Sequence, residues 1–343
     1  MKTLKTIVAL FAGLFAFSSA NAGEMTVTGT MQATYQSEVD GVTGNPLGLN
    51  TDLTFTGTTE VLDGTAVTWT MGTDGTFLGD SGADHTLAFA TGYGTFIVGN
   101  TGDAADAVDD ITPSAFEEAN GSGSGTYSVD FGSANNGSMS LAYRNADLFG
   151  TGISVGYNHY PKLDGTTNNE KGASANAGPT AKGASSMYVA TNLSKLPVIG
   201  DTALGGLKLT AGYEQSDSSN ALYQNKEGAT IAANYAMGPV SLGYQKKVYQ
   251  AMSTTRANDT FYKDDILGIA FAVNDSFAVS YNVYTSDKHD KSGSQIEQET
   301  TAINVAYTVG GLTLGFQDAQ TDNAAYTSAK EDNTRTFSIK TAF

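Results

Sequence analysis

Most of this chain alternates apolar and polar residues in period two, and that pattern limits it to strands. In "TVTGTMQATYQ", residues 26–36, Val27, Gly29, Met31, Ala33 and Tyr35 share one face. Thr26, Thr28, Thr30, Gln32, Thr34 and Gln36 share the other. "GLKLTAGYE" repeats the pattern, with Leu207, Leu209, Ala211 and Tyr213 set against Lys208, Thr210, Gly212 and Glu214. "GATIAANYAM", "VSLGYQ", "FAVSYNVY", "AINVAYTV" and "LTLGF" do the same. Side chains on a strand point alternately to its two faces, so each segment presents one apolar and one small, polar surface. Two architectures use such strands. A soluble sandwich packs the apolar face on a second sheet. A membrane barrel turns it to lipid and lines a lumen with the polar face.

The connections favour the barrel. Short turns, Asp63-Gly64, Gly238-Pro239, Asn274-Asp275 and Gly310-Gly311, alternate with long polar stretches at 37–48, 161–184, 216–226, 250–262, 286–298 and 321–333. Tight turns on one rim and long loops on the other mark an outer-membrane barrel. No fixed repeat period points to a solenoid. Strands are expected near 25–36, 49–61, 65–73, 83–91, 95–100, 137–145, 152–160, 185–194, 206–215, 227–237, 240–249, 263–273, 276–285, 299–309, 312–320 and 334–343. "TYSVDF" (126–131) is kept out of this set, since another strand there would reverse every later turn; 126–136 is assigned to a long loop. The predicted fold class is all-β, a transmembrane antiparallel β-barrel of about 16 strands, with a lumen wide enough for water and small solutes. Phe337, Ile339 and the terminal Phe343 share the outward face of the last strand, which closes the barrel against the first.

Lys2 and Lys5, the apolar run "TIVALFAGLFAF" and the small-residue site Ala20-Asn21-Ala22 read as a signal peptide over 1–22, leaving the barrel over 23–343. The chain has no cysteine, which excludes disulfides and thiolate metal sites. A net charge of −17 argues against nucleic acid as a partner. Catalysis has little support: His85, His159 and His289 are scattered, and no Gly-x-Ser-x-Gly, His-Glu-x-x-His or phosphate loop is present.

One stretch breaks the alternation. "VGNTGDAADAVDDITPSAFEEANGSGSG", residues 98–125, holds Asp103, Asp106, Asp109, Asp110, Glu117 and Glu118 and no base. No Lys or Arg occurs anywhere between Thr6 and Tyr143. A solvated loop is the bland reading. A constriction loop is the functional one, since clustered carboxylates in a narrow channel favour cations. The spacing of Asp103, Asp106 and Asp110 suits one face of a short helix ended by Pro113. Crowding raises carboxylate pKa values, so this charge should respond to acid. Asp109, Asp110, Glu117 and Glu118 are also oxygen ligands of the kind that hold Ca²⁺ or Mg²⁺, but their spacing is not that of an EF-hand. No cofactor is otherwise expected. By parity Asp52 points inward, and so do Arg144, Lys208, Lys247 and Lys340, a possible basic wall. Loop and turn lysines, Lys226 and Lys288 among them, are assigned to solvation or to lipopolysaccharide phosphates.

"TDLTFTGTTE" (51–60) resembles the second strand of the enterobacterial porins. "YSVDFGSANNGSMSLAYRNADLFGTGISVGYNHY" (127–160) resembles their stretch from the end of the third loop through the seventh strand, and Phe343 matches their terminal aromatic. The chain thus resembles the Gram-negative general diffusion porins. The resemblance implies a homotrimer of sixteen-stranded barrels in outer-membrane lipid, inserted by the barrel-assembly machinery and passing ions and small hydrophilic solutes. It also implies that 98–125 is a third loop folded into the lumen, its acids opposed by a basic wall. Here the chain departs: Asp52 stands where the family's second-strand arginine is expected, and no arginine follows "YGTFIVGN" (93–100). A cation-preferring passive channel is therefore expected. A plugged structural or adhesive barrel, binding partners through its long loops, is the alternative.

Overall fold

The computed structural model describes residues 24–38, 45–62, 65–74, 84–122, 131, 138–161, 181–196, 200, 202–218, 225–250, 260–290 and 293–343. The expected leader, and 126–136 apart from Phe131, lie outside them. Sixteen strands follow in chain order: β1 (Glu24–Glu38), β2 (Leu47–Leu62), β3 (Thr65–Asp74), β4 (Asp84–Thr91), β5 (Gly94–Gly99), β6 (Ser140–Asn145), β7 (Ile153–Tyr160), β8 (Ala181–Asn192), β9 (Leu207–Ser218), β10 (Lys226–Met237), β11 (Val240–Gln250), β12 (Thr260–Asn274), β13 (Phe277–Asp290), β14 (Gln295–Val309), β15 (Leu312–Asp322) and β16 (Glu331–Ala342). Each pairs antiparallel with its sequence neighbours, and β1 pairs with β16, so the sheet is one closed barrel. Each expected strand overlaps one of these, and the structure extends several toward the long-loop rim.

Burial is inverted relative to a water-soluble core. Leu49, Ile231, Ile303, Phe337 and Ile339 are exposed on one face. Asn158, Gln245, Asn282 and Asn304 are buried on the other. Apolar exposure on the outward parity is what lipid requires, and closure leaves no unpaired strand edge in it. No helix among the described residues is long and apolar enough to cross a membrane.

The seam is closed by the last residue. Phe343 N–H donates to Gly29 O at 2.9 Å, and Gly29 N–H donates back to Phe343 O at 2.8 Å. Gly29 is required there, because a Cβ would stand 2.8 Å from the Phe343 ring and 2.9 Å from Asp52 O. Two connections on the short-turn rim are longer; that from β6 to β7 carries a 3₁₀ turn, Leu148–Gly150. The connection from β8 to β9 carries two 3₁₀ turns, Leu193–Lys195 and Ala203–Gly206, and Tyr235 Oη donates to Ala203 O at 2.7 Å.

Candidate functional site

The acidic segment after β5 forms no long helix. A 3₁₀ turn spans Ala105–Val108 and ends at Asp109, whose ψ of 153° is extended. Asp110 follows in the left-handed region at φ 44°. The helix expected to run to Pro113 stops early because the chain turns to bring Asp109 and Asp110 onto one cation. Lys247 Nζ, from the polar face of β11, lies 2.7 Å from Asp109 Oδ1 and 2.9 Å from Asp110 Oδ1. Several of the segment's other described backbone groups bond to wall side chains, as an irregular chain without a ladder requires.

These anchors follow the polar face of the barrel from β7 round to β1. Asn158 of β7 donates to Gly102 O at 3.2 Å, and Ala104 N–H donates to Ser186 Oγ of β8 at 2.9 Å. Gln245 of β11 donates to Val108 O at 3.0 Å, and Asn234 of β10 to Ile111 O at 2.7 Å. Asn282 of β13 donates to Pro113 O at 3.0 Å, and Gln317 of β15 to Glu117 O at 3.2 Å. Thr334 of β16 and Gln36 of β1 both donate to Ser122 O, at 3.1 and 3.2 Å. Sequence reasoning missed this set of anchors. Its signal is the recurrence of Asn and Gln at inward parity on β7, β10, β11, β13 and β15, where Ser or Thr would serve a bare wall.

The acids divide by environment. Asp103 is 3% exposed and accepts a hydrogen bond from Tyr160 Oη at 3.0 Å, so it faces the wall. Asp106 and Asp110 are exposed; Glu117 and Glu118 are half-buried. Asp103, Asp106 and Asp110 therefore do not share a face. Asp110, Glu117, Glu118, Asn120, Thr112 and Phe116 line a cleft of about 530 Å³ within the segment. Burial pushes Glu118 up to about 8, with the Asp110 charge adding to it. Burial raises Asp109 as well, against the opposing pull of Lys247. Asp106 is raised by burial and by the charges of Asp103 and Asp110. Glu117 is raised by burial, offset in part by Lys340. Among the described residues no three acidic, His or Cys side chains stand close enough to hold a metal ion. Asp109 and Asp110 converge on an ammonium instead.

The inward bases do not form one wall. Arg144, Lys208 and Lys340 lie near the short-turn ends of β6, β9 and β16. Arg144 donates to Asn158 Oδ1 at 2.5 Å and to Gly102 O at 3.4 Å, beneath the start of the segment. Lys208 and Lys340 are exposed. Among the described residues only Lys247 is ion-paired with the segment's acids, while Lys340 acts on Glu117 at longer range. Lys226 is no surface lysine: it is buried on β10, 3.1 Å from Glu214. Lys288 lies 5.5 Å over the Tyr326 ring. On the opposite wall Asp52 accepts from Thr30 Oγ1 at 2.9 Å and from Asn50 Nδ2 at 3.2 Å.

A family model described as Gram-negative porin matches residues 7–342. A search of curated proteins finds no match. Among solved structures the chain is similar to OmpT of Vibrio cholerae, at a TM-score of 0.66 and 12% identity over 96% of this chain and 100% of that one. Another OmpT structure from the same organism is a trimer form, at a TM-score of 0.63 and 13% identity over 94% of this chain and 100% of that one. An anion-selective porin from Comamonas acidovorans matches at 0.64 and 14% identity over 94% of this chain and 100% of that one. OmpF of Salmonella typhi, in complex with daunomycin, matches at 0.65 and 14% identity over 94% and 98%.

Proposed function

This chain belongs to the Gram-negative porin family, and on that premise we propose that its acidic segment makes it a cation-preferring channel. The family places it in the outer membrane as a diffusion channel for small solutes, not an enzyme. Ion preference is the finer reading. The observation that carries it is the ratio at the segment: one base, Lys247, faces Asp109 and Asp110, and among the described residues no base stands in hydrogen-bond reach of Asp106, Glu117 or Glu118. The facing wall of β1 to β5 holds no Lys or Arg and carries Asp52. Such a lumen has a net negative field, focused by its low-dielectric wall. The anion-selective relative shows that the fold leaves the sign open, so the sign rests on these residues.

Arg144, Lys208 and Lys340 lie near the short-turn ends of their strands; Arg144 packs under the start of the segment and Lys340 acts on Glu117 from below, so they offset its charge only from that side. The reading extends to a homotrimer, as in the trimer form of OmpT, embedded in outer-membrane lipid and inserted through its C-terminal Phe337, Ile339 and Phe343 face. Lipopolysaccharide contact fits the outward charges Lys246 and Arg335, each half-exposed and paired with Asp265 or Asp318. Export by the 1–22 leader belongs to the same reading. Purified protein added to a planar bilayer should give stepwise conductance increments; a silent bilayer would favour the plugged, partner-binding barrel.

A further inference from the structure

One row of buried polar side chains crosses β11 to β14 on the inner wall. Lys247 stands opposite Asp264 in the strand register, Asp264 opposite Ser286, and Ser286 opposite Gln298. Directly opposed pairs on one face are in side-chain contact range. All four residues are 0–1% exposed. The acidic segment covers the row at Lys247. The β15–β16 connection covers it at the other end, where Tyr326 Oη and Ser286 Oγ are 2.7 Å apart and Ala325 N–H donates to Gln298 Oε1 at 3.0 Å. Asn323, Ala325, Tyr326 and Ala329 in that connection all have positive φ, between 52° and 60°. Non-glycine residues adopt this backbone at a cost, so the inward position of the connection is over-determined by its contacts.

Asp264 lines no lumen, and the wall holds it. Tyr284 Oη donates to its Oδ2 at 3.0 Å, and Ser286 Oγ donates to its Oδ1. The Lys247 ammonium pairs with Asp109 and Asp110 of the segment, and Asp264, opposite it in the strand register, adds a third negative charge from its own wall without contacting it directly. Without Asp264, Lys247 would cancel one of the segment's charges. With Asp264, the wall supplies a negative charge that offsets Lys247, so the cluster of Lys247, Asp109, Asp110 and Asp264 keeps the net charge of the two segment carboxylates.

We propose that Asp264 is a positioning residue for ion selectivity, acting through Lys247: its charge offsets the ammonium that Asp109 and Asp110 contact. The inference rests on the porin reading and deepens it. Reversal potentials in a KCl gradient test it. Asp264→Asn should lower the potassium-to-chloride permeability ratio about two- to fourfold, the effect of removing one charge near the path. Asp264→Glu should keep the wild-type ratio. In a Lys247→Met background Asp264→Asn should change nothing further, because a buried carboxylate without its cation takes up a proton. An unchanged ratio in Asp264→Asn, an equal fall in Asp264→Glu, or the same fall in the Lys247→Met background would overturn the proposal. If Asp264→Asn does not assemble, Ser286→Ala replaces it: a smaller fall in the same direction supports the proposal, and no change overturns it. A non-conducting wild type would instead count against the porin reading, whereas a conducting, cation-preferring wild type with an indifferent Asp264→Asn counts against this inference alone.

Discussion

At the scale of single residues, six carboxylates that look equivalent in sequence have different surroundings. Asp103 is turned into the wall and held by Tyr160, whereas Asp106 and Asp110 are exposed. Neutralising Asp106 and Asp110 together should lower cation preference about two- to fourfold per charge. Asp103→Asn should leave preference near wild type and loosen the start of the segment by about 1–2 kcal/mol, the worth of a buried hydrogen bond to a charged group. Reversal potentials and thermal melting of the two variants check both halves; a selectivity loss in Asp103→Asn equal to that per charge in the double variant would contradict this division. Parity in the sequence was enough to aim Asp52, Arg144, Lys208, Lys247 and Lys340 inward. It was not enough to separate Lys247 from the others, because height along a strand depends on where each strand leaves the short-turn rim.

At the scale of elements, the strands were legible because lipid on one side and water on the other impose a strict period of two. The acidic segment was legible as an interruption, but its path was not. Its course is set by Asn158, Gln245, Asn234, Asn282 and Gln317, scattered over five strands far away in sequence. A local helix signal in "DAADAVDD" loses to the pull of Lys247, which takes two adjacent carboxylates at once. The inward β15–β16 connection and the 3₁₀ turns between β8 and β9 left no periodic trace at all. As an element the segment should titrate. Burial raises Asp106, Asp109, Glu117 and Glu118, the last to about 8, so these four are neutral below their pKa values and negative above them. Cation preference should therefore rise as pH increases from about 6 to about 9 and fall on acidification. A pH-independent reversal potential over that range would show that these groups do not face the ion path.

At the scale of the whole molecule, charge is distributed by sector. The chain carries no base from Thr6 to Tyr143, so β1 to β5 form an uncharged-to-acidic inner wall. Later strands supply the bases, yet Lys226 and Lys247 are consumed by buried partners and Arg144 packs under the segment. The barrel thus keeps the family's architecture while lacking a basic wall opposite its acidic loop. On the proposed reading, the field in the lumen has one sign, negative. The most direct test is the zero-current potential of the purified protein across a planar bilayer with a KCl gradient at neutral pH. The account predicts a potential of the sign set by potassium diffusing down its gradient, showing cation preference. A potential of the opposite sign, showing chloride preference, would contradict it.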